Sequence, residues 1–135
     1  MREILFRAKR EDTGEWVEGD FLRLHKLNES CIAIRGDNQH WCNTQFIPID
    51  PSTLCQFTGL LDKNGERIWE GDVVNSWHTG IHPDSKMYNE SFKGYVMFDV
   101  RIGAWFIEVD DGSGWYLSRS RQLVRLGSIH DKEQP

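Results

Sequence analysis

The stretch Leu54-Cys55-Gln56-Phe57-Thr58-Gly59-Leu60-Leu61-Asp62-Lys63-Asn64-Gly65-Glu66-Arg67-Ile68-Trp69-Glu70-Gly71-Asp72-Val73-Val74 decides how the chain is read. Two apolar runs, one at Leu54–Leu60 and one at Ile68-Trp69, flank Asn64-Gly65, a pair that tolerates the positive φ of a tight hairpin turn. Glu70-Gly71-Asp72 makes a second turn that feeds Val73-Val74 into a further strand. Branched and aromatic side chains cut by glycine corners suit pleated strands better than helices.

The rest of the chain follows the same pattern. Its 135 residues fit one domain, or two small subdomains, and contain 3 Ala against 16 aromatics, 10 Ile and 7 Val. Strands are expected at Ile4–Ala8, from Trp16 to about Leu24, Ser30–Arg35, His40–Ile47, Gly94–Val100, Ala104–Val109 and Trp115–Leu117. Gly19 interrupts the second of these and marks a bulge. Pro48 and Pro51 cannot donate to a ladder, so Pro48–Ser52 is the expected boundary between residues 1–51 and 52–135. Trp77 to about Phe92 is polar, holds Gly80 and Pro83, and reads as a long loop. Ser118–Leu126 is the one stretch that admits a helix. Strands at this spacing point to a barrel or rolled sheet.

Charge and cysteines narrow the partners. The net charge is −5, from 16 Lys+Arg and 21 Asp+Glu, and the acidic excess is spread over both halves. A nucleic-acid binder usually shows a basic face, so this balance argues against one. No apolar run approaches the ~18 residues of a membrane helix, and no membrane partner is expected. Met1-Arg2-Glu3 opens without an apolar export signal, so a cytoplasmic location is expected. Cys31, Cys42 and Cys55 are then expected to be reduced thiols in the core.

Few residues offer chemistry. Glu70 and Asp72 are two carboxylates that an acid–base mechanism or a hard cation can use, beside the plainer role of closing a turn. His78 and His82 stand four apart, but Gly80 and Pro83 oppose the helix that would aim both at zinc. His40 and Cys42 share a strand face and make only two ligands. Ser113 lies in Gly112-Ser113-Gly114 with no identifiable base, and no phosphate-cradling loop occurs. No enzyme, metal or cofactor is therefore expected. Between Asp111 and Asp131 the only charged residues, with His neutral, are Arg119, Arg121 and Arg125. With Trp115 and Tyr116 they form an arginine–aromatic neighbourhood of the kind that holds phosphates and stacks bases. The plainer reading is that these arginines pair with acidic residues of the same chain or of a second copy. Six tryptophans in so short a chain also favour a subunit contact, hence a homo-oligomer.

The segment from Thr53 to Val74 resembles the hallmark of the YopX family, small proteins encoded mostly by bacteriophages and prophages. The matching residues are Thr53–Leu60, Asp62-Lys63-Asn64-Gly65 and Ile68–Val74. Met1–Ala8 is similar to that family's opening. Gly103-Ala104-Trp105 resembles an element of its late strands, and Leu126–Asp131 its closing motif, with Ser128 where Asn is usual. The resemblance implies a mainly β protein with a C-terminal part of small-barrel character. It carries over no activity and no catalytic or ligand residue.

The expected fold is thus mainly β, an N-terminal antiparallel sheet packed with a C-terminal small SH3-like or rolled β-barrel. The expected role is that of a phage or prophage accessory protein acting by binding or self-assembly, with itself or a phage or host protein as partner. A nucleic-acid-binding module using Arg119, Arg121, Arg125, Trp115 and Tyr116 is the alternative. An enzyme at the Glu70/Asp72 turn comes third.

Overall fold

The structure, a computed structural model, describes residues 3–34, 43–81, 87–109 and 113–131, with backbone alone at 78–81, 87–89, 119 and 121. It is mainly β, with antiparallel sheets and, among the described residues, only short 3-10 turns besides strands. The chain divides into two compact units, Met1–Phe57 and Thr58–Pro135.

The first unit holds β1 (Phe6–Lys9), β2 (Trp16–Leu24), β3 (Glu29–Ile34), β4 (Gln45–Pro48) and the start of β5 (Cys55–Leu61). The strand order is β4-β3-β2-β1-β5. Ala8, Ile32 and Ile49 form its buried centre, with Phe6, Val17, Phe21, Ile34 and Leu54 packed around them. The Pro-rich stretch is a capped 3-10 turn, Pro51–Thr53. Asp50 Oδ1 accepts the Ser52 N–H at 3.0 Å, and Thr53 Oγ1 accepts the Lys9 N–H at 2.8 Å. A local cap and a bond across 44 residues together tie this turn to β1.

The second unit holds the end of β5 and six further strands: β6 (Arg67–Trp69), β7 (Asp72–Ile81), β8 (Met87–Asp99), β9 (Ala104–Glu108), β10 (Gly114–Tyr116) and β11 (Arg121–Ser128). β5 is followed by β6 across the expected hairpin, and the five later strands make a sheet of order β10-β9-β8-β7-β11. Ile68, Val74, Val96, Ile107, Leu117 and Leu123 are buried together, with Trp105 against them. Strand alternation explains this face: on β8, Gly94 and Val96 are buried while Lys93, Tyr95 and Met97 are exposed.

Several expectations are corrected. The sheet of the second unit is open, with β10 and β11 at its ends, so an SH3-like closed barrel is not found among the described residues. The described residues of the polar stretch Trp77–Phe92 are strand, not loop: β7 and β8 pair without a register break from Val73↔Tyr95 to Ile81↔Met87. Its polar sequence carries no apolar alternation, which is why it reads as loop. Pro83 lies outside the described residues. Ser118–Leu126 forms no helix but the end of a 3-10 turn, Leu117–Arg119, and most of β11. Gly19 marks no bulge, since β1 pairs in register from Lys9↔Trp16 to Phe6↔Gly19. It allows close approach instead: a Cβ there would meet the Ala33 carbonyl oxygen. In the hairpin turn only Gly65 has positive φ, at 83°. The turn closes through the Gly65 N–H on the Asp62 carbonyl at 3.0 Å.

Candidate functional site

Asp72 is fully buried (0% exposed), on the first residue of β7. Its Oδ2 accepts the Trp69 N–H at 2.8 Å and the Arg125 Nε–H at 2.7 Å. Gly71 makes that geometry possible, with φ 81° on the turn between β6 and β7. Its N–H donates to the Val96 carbonyl at 2.7 Å and its carbonyl accepts the Ile129 N–H at 2.8 Å. The Glu70-Gly71-Asp72 turn therefore joins β6, β8 and the chain end beyond β11.

Asp62 completes the network. Its Oδ1 accepts the N–H groups of Asn64 at 2.8 Å and Glu66 at 2.9 Å, while Oδ2 accepts the Arg125 N–H at 3.0 Å. The Lys63 N–H donates to the Leu123 carbonyl at 2.9 Å. These are groups that β11 turns away from β7, so the Asp62–Glu66 turn covers an otherwise open strand edge. Burial pulls the Asp62 carboxyl upward, but the three N–H donors and the Arg125 charge outweigh it and hold its pKa below the ordinary value. Burial likewise disfavours the Arg125 cation; Asp72, then Asp131 and Glu66, reverse this and leave its pKa raised.

Of the arginine–aromatic set, the side chains of Arg125, Trp115 and Tyr116 are described, and these three are not brought together. The Arg125 guanidinium pairs with Asp72, and its backbone N–H donates to Asp62. Gln122 has φ 49°, and the register of β11 shifts between Arg121 and Val124. Arg121 then lies opposite Trp77 and Arg125 opposite Val74, positions of opposite parity on β7. Arg119 ends the 3-10 turn. Trp115 and Tyr116, consecutive on β10, split between the two faces. Trp115 is half-buried on Phe92 (ring centroids 4.7 Å apart), and Tyr116 stands edge-on to Phe106 at 6.0 Å.

Tyr116 belongs to a different group, one the sequence reading missed. Cross-strand pairs place Tyr116, Phe106 and Met97 in one row, Glu108, Tyr95 and Val73 in the next, then Lys93 with Asn75, and Ser91 with Trp77. All lie on the sheet face opposite Val74, Val96 and Ile107. Tyr95 is 39% exposed, Met97 40%, Tyr116 42% and Trp77 38%. Alternation over Ser91–Met97 carries the signal, but only once that stretch is known to be strand.

The other candidates give less. His78 lies opposite Glu90 in the β7–β8 ladder; His40, Cys42 and His82 lie outside the described residues. Among the described residues no group of three or more His, Cys, Asp or Glu is placed to hold a metal ion. Cys31 and Cys55 are buried free thiols. No helix among the described residues is long and apolar enough to cross a membrane.

No curated protein matches the chain. The YopX protein family matches it over residues 5–132, a span that includes the Asp62 turn, the Gly71 turn and β11. The chain belongs to the YopX family.

Proposed function

We propose that the protein is a phage-type accessory protein of the bacterial cytoplasm that acts by binding, without catalysis, through the outer face of its five-stranded sheet. One observation carries this reading: Trp77, Tyr95, Met97 and Tyr116, all large and apolar, stand exposed on one face. Scattered apolar residues are ordinary on a surface, whereas Tyr116, Phe106, Met97 and Tyr95 fill adjacent rows, with Trp77 two rows beyond, and such a patch marks a contact site. The Glu70/Asp72 turn supports no acid–base reading, because Asp72 is spent on Trp69 and Arg125.

The exposed rings also favour a second reading, single-stranded nucleic acid stacked on the same face beside Lys93 and the Arg121 position. Weighing against it are Glu108 on that face, the commitment of Arg125 and the net charge of −5.

The test replaces Tyr95 and Met97 together by Ser. Wild type and variant are compared in capture from host extract and in anisotropy with labelled oligonucleotides, with melting curves confirming the fold. The reading expects every specific association to disappear in the variant. Associations that persist unchanged overturn it.

A further inference from the structure

The occupant of this face is the next matter, and resting on the proposal above we infer that it is a second copy of the chain, bound face to face about a twofold axis. Size is the first argument. With strands ~4.8 Å apart and ~3.3 Å per residue, β8 over Ser91–Asp99 together with β7, β11, the 5 residues of β9 and the 3 of β10 covers roughly 500 Å² of flat sheet per copy, about 1,000 Å² for the pair, the least a specific interface buries.

Charge is the second argument. On this face Lys93 lies one row beyond Tyr95 and Glu108 sits directly across from that tyrosine, while Asp99, past Met97, is paired with Arg101. A polyanion would meet Glu108 without compensation, whereas a second copy supplies a lysine for each glutamate. The whole chain is acidic, so copies repel one another elsewhere; on this face Lys93 and Glu108 offset one another.

Register supplies the third. In an isologous pair each contact occurs twice, as residue i on j and j on i. On the strand grid (~4.8 Å across, ~6.6 Å between same-face neighbours) one in-plane twofold axis carries Lys93 over the partner subunit's Glu108. That same axis lays Tyr95 beside the partner subunit's Tyr95 and Tyr116 over the partner subunit's Trp77. The charges and the rings are thus matched by one operation.

Sedimentation velocity from ~1 to ~100 μM tests this on the full chain, across the range of ordinary specific affinities. Wild type is expected to dimerise. Lys93→Glu and Glu108→Lys are each expected to weaken the dimer about tenfold, since two like-charge contacts replace two attractive ones. Mixed one to one, these two variants are expected to recover wild-type affinity, because every cross-copy contact is again between opposite charges. Recovery also shows that both variants are folded. Wild type that stays monomeric at ~100 μM, or a mixture no tighter than either variant, overturns the inference. In the monomeric case the Tyr95/Met97 comparison decides separately whether the face binds a host protein, an oligonucleotide or nothing.

Discussion

Arg125 donates its Nε–H to Asp72 Oδ2 at 2.7 Å, and the carboxylate it meets has no exposed surface. An ion pair of this kind is a poor source of net stability, yet removing one partner strands a buried charge. The arginine that the sequence offers as a phosphate contact is a structural element of the second unit.

Arg125→Met is therefore expected to destabilise the protein by about 3 kcal/mol, the low end for breaking a buried pair. Urea unfolding followed by tryptophan fluorescence measures it. A loss below about 1 kcal/mol, the ordinary worth of an exposed pair, contradicts the assignment.

Asp62 is expected to make stability depend on acid. Its folded pKa lies below the ordinary 3.8, so its contribution is whole above that value and is lost as pH falls through the lower folded one. Acid unfolding of wild type and Asp62→Asn should converge at the lowest pH and separate above pH ~4, with wild type the more stable. Asn fails as a substitute because its amide nitrogen turns a donor toward one of the three N–H groups. Parallel curves across the whole pH range contradict this account.

Gly71 and Gly65 have nearly the same φ, 81° and 83°, in different surroundings. A Cβ on Gly71 would stand 3.3 Å from Ile129 Cγ1, whereas one on Gly65 would meet nothing within 4 Å. Gly65→Ala is expected to cost about 1 kcal/mol of backbone strain, and Gly71→Ala more, because Ile129 must also move. Thermal melts of the two variants compare them. Equal losses contradict the packed role given to the Gly71 turn.

The second reading of the aromatic face has its own test. Phosphate contacts make affinity fall steeply with salt, so binding is sought with single- and double-stranded oligonucleotides at ~50 mM salt. The self-association account expects no saturable complex there. A complex that weakens as salt rises, and that Lys93→Glu abolishes, favours nucleic acid instead.

Much of this architecture is legible before folding. Strand-forming residues, the Asn64-Gly65 corner and the Pro51 turn come from short-range rules, and each has its counterpart in β5, β6 and the capped turn at Pro51–Thr53, whereas Pro48 stays in the ladder opposite Cys31. The β7–β8 ribbon escapes because periodicity registers burial, and a strand with polar residues on both faces has no period to read. The shift in β11 escapes for another reason: Gln122 adopts φ 49°, and glutamine carries no sign of it. The shift beside that residue sets Arg121 and Arg125 opposite β7 positions of opposite parity. Asp62 and Arg125 are 63 residues apart, and no local pattern announces their bond.

The most direct measurement is a pair of amide-resolved NMR spectra recorded at ~10 μM and ~500 μM, either side of a micromolar affinity. If the outer sheet face is the contact surface, shifts between the two gather at Trp77, Lys93, Tyr95, Met97, Phe106, Glu108 and Tyr116, and the strands of the first unit stay still. Identical spectra, or changes centred on β1–β4, contradict it.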